Sequence, residues 1–293
     1  MPRYETPRFL KNLGTTYTPP EQVDMNKPNI ARVYSYYLGG KDHFEVDREM
    51  ANYAAEIVPG VNELAMGNRA FIQRAVRYLA MERGVRQFLD VGSGLPTEAN
   101  VHEVAHEATD DARVLYVDND PIVLAHARAL LAGDARTGVI NADLRRPQEI
   151  LTAPETRDLL DFNQPVGLIL GGILHHLADE DDPERLTREL ADALAPGSFL
   201  AISHFARPDH RSHPEEHDRA LNLEAAFLKK LGTGRWRTPE EILAYFCGWK
   251  PVEPGMVPLQ DWRPLPDAAR VAGTYRMSPT TRLLIFGGVA KKP

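Results

Sequence analysis

Apolar residues change their spacing along this chain, and the change divides it. From Asn29 they recur at three and four positions, as Ile30, Val33, Tyr34, Tyr37 and Leu38. That period predicts a helix, which Gly39-Gly40 stops. A second helix is expected over 45–57, ending near Pro59-Gly60. A third is expected over 62–83, with Leu64, Phe71, Ile72, Ala75, Val76 and Leu79 on one stripe. Residues 1–28 are proline-rich with little periodicity and read as an irregular arm.

Beyond Gly84 the pattern becomes short apolar runs separated by helical stretches. Strands are expected at 87–91, 113–117, 137–141, 166–170 and 198–203. The 166–170 run has no polar alternation, so both its faces should be buried. Helices are expected at 97–108, from Asp120-Pro121 to Gly133, and from Asp182-Pro183 to Leu194. The Asp-Pro starts are physically sound: the carboxylate caps free amides, and proline suits the first helical position, where no N–H is needed. Thr238-Pro-Glu-Glu241 is a capping box, and two late strands are expected at 250–257 and 281–290. The expected architecture is α/β, a doubly wound, mostly parallel seven-stranded sheet with a helical N-terminal extension. The extension and arm would occupy 1–84 and the sheet domain 85–293, with insertions near 205–237 and 258–280.

Composition narrows the class. The 293 residues are 43% hydrophobic and 26% charged, enough for a sizeable core. A net charge of −7 gives no bulk attraction to nucleic acid or anionic lipid. Arg69, Arg74, Arg77, Arg83 and Arg86 gather locally, at spacings that read as the wet face of a helix. The single cysteine, Cys247, excludes an internal disulfide and a thiolate metal cluster, and its apolar context reads as an inert thiol. The longest apolar stretch, Val166 to Leu174, is too short to span a bilayer, and the N-terminus lacks a signal peptide's apolar core. A cytoplasmic location follows as the expectation.

In such a sheet, ligands sit outside the carboxyl ends of the strands where the strand order reverses. Gly92 and Gly94 follow the first strand and let the backbone turn tightly and approach a ligand. Asp118 ends the second strand, where a carboxylate can accept bonds from both hydroxyls of a ribose. A dinucleotide fingerprint needs a third glycine at position 97, which is Thr97 here, so a nicotinamide cofactor is disfavoured.

Asp90-Val-Gly-Ser-Gly94 and Leu-Tyr-Val-Asp118 resemble the first two motifs of Rossmann-like methyltransferases that use S-adenosylmethionine. Asn-Ala-Asp143-Leu144 is similar to their third motif, and Leu-Ile-Leu-Gly171-Gly-Ile-Leu-His-His176-Leu to their fourth. Asn29-Ile-Ala-Arg-Val-Tyr-Ser-Tyr-Tyr-Leu-Gly-Gly-Lys-Asp-His-Phe44 resembles the opening of a bacterial family of largely uncharacterised S-adenosylmethionine-dependent methyltransferases. The resemblance implies that Asp90, Gly92, Ser93 and Gly94 hold the methionine end, Asp118 the ribose, and Asn119 the border of the adenine. It places Asp143 and Leu144 at the adenine edge and Gly171 near the sulfonium. Tyr36, Gly39, Gly40 and Lys41 would fold over the cofactor as a lid.

A sulfonium is already a good methyl donor, so the protein's work is positioning, water exclusion and removal of a proton. His175 and His176 follow the fourth strand, where one would act as general base; packing at the cofactor's edge is the competing role. No Asn-Pro-Pro-Tyr follows that strand, which disfavours an amino group on a base or glutamine as acceptor. The expected partner is therefore a small-molecule methyl acceptor, with no nucleic acid, no membrane and oligomeric state open. A non-catalytic S-adenosylmethionine-binding regulator is the alternative, and turnover discriminates the two.

Two metal-like patterns carry less weight. His102-Glu-Val-Ala-His106 matches a zinc-protease spacing, but position 112, where a third histidine would stand, is Ala112. Both histidines then read as surface residues of the first crossover helix. His204, His210, His213 and His217 cluster with Asp209, Glu215 and Glu216, which reads as a solvated insertion near the acceptor. No metal is expected.

Overall fold

Five short strands pair in parallel at the centre of the molecule, all but β3 largely buried: β1 (Gln87–Val91), β2 (Arg113–Asp118), β3 (Thr137–Asn141), β4 (Gly167–Gly171) and β5 (Phe199–Phe205). The computed structural model describes residues 24–97, 99–131, 133–264 and 276–293. The expected arm up to residue 23 and the part of the second insertion at 265–275 lie outside the described residues.

Among the described residues three further strands make eight where seven were expected. The run at 250–257 contains Pro251 and a Pro254-Gly255 turn, so it yields two two-residue strands, β6 (Lys250–Pro251) and β7 (Val257–Pro258). Both pair antiparallel with β8 (Ile285–Lys291), which itself lies antiparallel beside β5. The strand order is β3-β2-β1-β4-β5-β8-β6, with β7 also on β8. Chain direction across the sheet reverses between β1 and β4, and a ligand crevice belongs there.

The helices are α1 (Ile30–Tyr37), α2 (Glu45–Ile57), α3 (Asn62–Arg77), α4 (Val101–Ala108), α5 (Pro121–Leu130), α6 (Pro147–Thr152) and α7 (Pro154–Leu159). They continue as α8 (Pro183–Asp192), α9 (Pro214–Leu231), α10 (Pro239–Ala244) and α11 (Pro279–Arg282). Asp120 caps α5 as expected, its Oδ1 accepting from Ile122 N–H at 2.8 Å. α4 starts at Val101 rather than 97 because the Glu103 carboxylate reaches back to accept from the Asn100 amide, at 2.6 Å. α3 runs on through a wider π turn at Tyr78–Glu82, which completes the expected 62–83 span.

The N-terminal helices share the sheet's core. Val33, Met50 and Phe71 belong to one buried cluster with Phe88, Val114 and Ile169. α1 and α2 are clamped by a buried ion pair, Arg32 Nε to Asp47 Oδ2 at 2.7 Å. Asp47 also accepts from the Asn29 and Phe44 amides, at 2.9 and 2.7 Å. Breaking such a satisfied pair on one side costs about 3–5 kcal/mol.

The arginine stripe expected to face water divides. Arg77 pairs with Glu107 at the surface, but Arg74 donates to the carbonyls of Trp262 and Leu259, at 2.9 and 2.5 Å. Arg69 turns into the crevice. The reason is that α3 is covered on more than one side: α4 and the segment around residue 260 both pack on it. No described helix is long and apolar enough to cross a membrane.

Candidate active site

The crevice at the β1–β4 reversal opens into a cleft of about 1100 Å³, counting its mouth. Its floor is the turn after β1. Gly92 and Gly94 both have positive φ, +76° and +67°, a region that an L side chain enters at about 1–2 kcal/mol. The amides of Gly92 and Ser93 donate to the Val117 carbonyl, at 2.8 and 3.2 Å, folding the loop over the end of β2. A Cβ on Gly92 would stand 2.5 Å from Ile173 Cγ1, so the loops after β1 and β4 touch at that glycine. A Cβ on Gly94 would meet nothing within 4 Å.

Asp118 is tied to that loop before any ligand arrives. Its Oδ2 accepts from Gly94 N–H and its Oδ1 from Asp120 N–H, each at 2.9 Å. A carboxylate offers about four acceptor positions, so about two remain. Burial raises the Asp118 pKa, opposed by the Asp120 and Gly94 amides. Asp90, buried beneath the loop, is pushed up to about 7 by burial; Arg69 opposes the shift and Asp118 adds to it. Two acids desolvated side by side make this end of the cleft favourable for a cation that also carries hydroxyl donors.

The S-adenosyl methyltransferase family profile matches residues 16–293. The chain belongs to this family. A crystal structure of a candidate methyltransferase from Thermobifida fusca YX is 43% identical with TM-score 0.84, covering 94% of this chain and 99% of its own. A DUF574-family protein from Streptomyces avermitilis ma-4680 is 37% identical with TM-score 0.83, covering 92% and 99%. A search of proteins with curated function finds no match.

An S-adenosyl methyltransferase takes S-adenosylmethionine, a cation with a ribose, and the cleft fits that group. The open space over Gly94, the two buried carboxylates and the spare acceptor positions of Asp118 are what such a ligand requires. Asn119 and Gly171 also line the cleft. Asp143 and Leu144 do not: Asp143 stands behind Asn119, accepting from its Nδ2 at 3.2 Å, and Leu144 is buried in the core below.

Helix α1 enters the methyltransferase cleft on another face than expected. Ile30, Tyr34 and Tyr37 share one stripe at three- and four-residue spacing, and those three line it. Tyr36 lies outside, edge-on to His43 with ring centroids 5.0 Å apart. Gly39, Gly40 and Lys41 are not in the lining either; Tyr34 and Tyr37 are the aromatic residues of this segment that reach the cleft.

Residues from α3 form the wall that the motifs do not reveal. Asn68 is buried, and its Nδ2 donates to Tyr34 Oη at 3.2 Å and to the Gly171 carbonyl at 3.3 Å. Its Oδ1 accepts from Ser203 Oγ. One amide thus joins α1, α3, β4 and β5 around the cleft. Its signal in the sequence is an asparagine four residues from both Leu64 and Ile72, in the middle of an apolar stripe. Arg69 Nη2 donates to Asn100 Oδ1 at 2.9 Å, beside Asp90.

Across β4 from the glycine loop the lining is apolar, with Phe205 at the end of β5, Ile285 at the start of β8 and Phe227 against Phe205, and His175 and His176 line the cleft after β4. Burial holds His176 at about 4 and His175 well below its ordinary value, so both rings are neutral at pH 7. His204 is held at about 3, chiefly by burial.

The remaining polar clusters have structural partners. His102 Nδ1 meets Tyr116 Oη at 2.8 Å and His106 Nε2 meets the Ala112 carbonyl at 3.0 Å. Both are thus tied into α4–β2 packing instead of standing free at the surface. The rings of His210 and His217 lie 5.1 Å apart near the start of α9, while His204 is inside the sheet. Among the described residues no three His, Cys, Asp or Glu side chains could hold a metal ion. Cys247 is half-buried with its thiol pushed up to about 11, an unreactive state at neutral pH.

Proposed function

We propose that the enzyme methylates a small, largely apolar molecule bound beside S-adenosylmethionine in one continuous cleft. The observation that carries this reading is the division of that cleft. Its acidic, glycine-floored end suits the cofactor, and its aromatic end holds two neutral histidines and no described carboxylate or lysine.

The loop of Gly92, Ser93 and Gly94, whose amides are taken up by Val117 and Asp118, would pack with Asp90 along the methionine end, and Asp118 would take the ribose hydroxyls. Asn119 would border the adenine, kept in place by Asp143 behind it. Gly171, whose carbonyl Asn68 orients, would lie near the sulfur. Bound there, the cofactor supplies a methyl group on a positively charged sulfur. The protein's part is to align the acceptor, exclude water as a competing nucleophile, and accept a proton. Neutral histidines serve this better than charged ones, because an imidazolium would repel the sulfonium and offer no lone pair.

The test is transfer of radiolabelled methyl from S-adenosylmethionine to fractions of a cell extract sorted by size and class. Label in molecules below roughly 1 kDa is the expected result. Label only in protein or nucleic acid would overturn the small-molecule reading. Cofactor binding with no S-adenosylhomocysteine formed from any fraction would instead favour a regulator.

A further inference from the structure

The two adjacent histidines of the cleft are not equivalent. Phe205 N–H donates to His175 Nδ1 at 3.2 Å. A neutral imidazole that accepts at Nδ1 carries its one proton on Nε2. His175 is 3% exposed, lines the cleft, and stacks on the Phe205 ring with centroids 3.6 Å apart. No described residue accepts from its Nε2, which is left for whatever enters the cleft.

His176 lies beside it, ring centroids 4.5 Å apart, with Nδ1 3.1 Å from Thr233 Oγ1. If Nδ1–H donates to that hydroxyl, a lone pair on Nε2 is left for a proton. His204 is not available: its Nδ1 donates to the Phe205 carbonyl at 2.7 Å, and Arg237 Nη1 meets its Nε2 at 3.3 Å. The stack continues beyond His175, since the Phe205 and Trp236 rings are 4.2 Å apart and 11° from parallel. It fixes the plane of the His175 ring and with it the direction of the Nε2–H bond.

We propose that His175 donates a hydrogen bond from Nε2 to the methyl acceptor while His176 receives the proton of the reacting hydroxyl. The substrate is then a planar aromatic hydroxyl compound with a hydrogen-bond-accepting oxygen or nitrogen on the adjacent ring position. This rests on the small-molecule reading above. As the hydroxyl oxygen bonds the methyl carbon, the carbon–sulfur bond breaks. Its electron pair stays on sulfur, and the hydroxyl proton passes to His176.

The first test needs no substrate. In ¹⁵N-histidine-labelled wild type, assigned by His175→Gln and His176→Gln, long-range ¹H–¹⁵N spectra should show a pyridine-type Nδ1 and a pyrrole-type Nε2 for His175. The reverse tautomer would overturn the donor role. The second test is calorimetry of 2-methoxyphenol against 3-methoxyphenol on protein loaded with S-adenosylhomocysteine. The 2-isomer should bind about tenfold more tightly. His175→Gln should keep that preference, because its amide can both accept from Phe205 and donate, and His175→Phe should abolish it. Equal binding of the isomers by wild type would refute the adjacent-acceptor requirement. Any methylation of 2-methoxyphenol should fall about 100-fold at pH 7 in His176→Gln and recover as pH rises to ionise the phenol. Loss without that recovery would overturn the proton-acceptor role. Failure of wild type to bind S-adenosylhomocysteine would strike the cofactor site, while the tautomer measurement stands apart from it.

Discussion

Asp118→Asn is the sharpest perturbation of the cofactor end, because it changes one atom of a group whose two oxygens are both engaged. Gly94 N–H holds Oδ2 and Asp120 N–H holds Oδ1, each at 2.9 Å. In asparagine one of those positions becomes an NH₂ group, which cannot accept. One backbone amide loses its partner, and so does one ribose hydroxyl. The first loss costs about 1–3 kcal/mol of folding stability. The second removes a bond to a charged acceptor, about 1.5–3 kcal/mol, which raises the dissociation constant roughly 10- to 150-fold. Calorimetry with S-adenosylmethionine measures the affinity, and thermal unfolding of the empty proteins measures the stability separately. Asp134→Asn serves as control. That carboxylate accepts from Arg136 and Thr137 outside the cleft, so its loss should lower stability and leave affinity alone. Asp118→Asn that is folded and binds within threefold of wild type would refute the reasoning, since the ribose would then lie elsewhere.

The two glycines of the β1 loop should separate in the same assays. Gly92→Ala puts a Cβ 2.5 Å from Ile173 Cγ1 on top of the positive-φ cost, so it should lose about 2–4 kcal/mol of stability, read as a lower Tm. Gly94→Ala faces open space, so it should fold with a loss of only about 1–2 kcal/mol yet bind the cofactor more weakly, because the added methyl fills the cleft. For Asp90, held at about 7, roughly half the empty molecules are protonated at pH 7. A cation placed beside it favours the ionised form, so binding should release about half a proton at pH 7 and weaken as pH falls below that. Calorimetry in two buffers of different ionisation enthalpy counts the proton, and Asp90→Asn should abolish it. In the empty protein the same raised pKa contributes stability that is present below pH ~4 and lost as pH rises through about 7.

Much of the sheet was legible because its signals are local. The runs at β1 to β5, the Asp120 cap and the glycine turn each depend on neighbours a few residues away, and each stands where its pattern places it. The departures have equally particular causes. Tyr36 was one position out of phase with the stripe of Ile30, Tyr34 and Tyr37, and a single residue on a helix is a rotation of about 100°. The 250–257 run has strand-like ends, but Pro251 and Pro254 allow only two fragments to pair. Arg69 and Arg74 look alike in the sequence, and only the elements packed around α3 decide that one bonds Asn100 near Asp90 and the other bonds two carbonyls. Phe205, Phe227 and Ile285 come from three separate elements, so no motif could have joined them into one lobe.

The position of β8 also has a consequence in time. It follows every other described strand, yet it sits between β5 and β6, and its Ile285 lines the cleft. Just before it, Ser278 and Thr281 bond to Glu63 on α3, so late residues brace a helix made early. A nascent chain therefore carries the glycine loop, Asp90 and Asp118 long before the wall opposite them exists. Until β8 emerges, β5 is an open edge, exposed to pairing with another chain. Methyl transfer is a property that the growing polypeptide acquires late, and a chain halted short of β8 is a hazard for aggregation before it can be a catalyst.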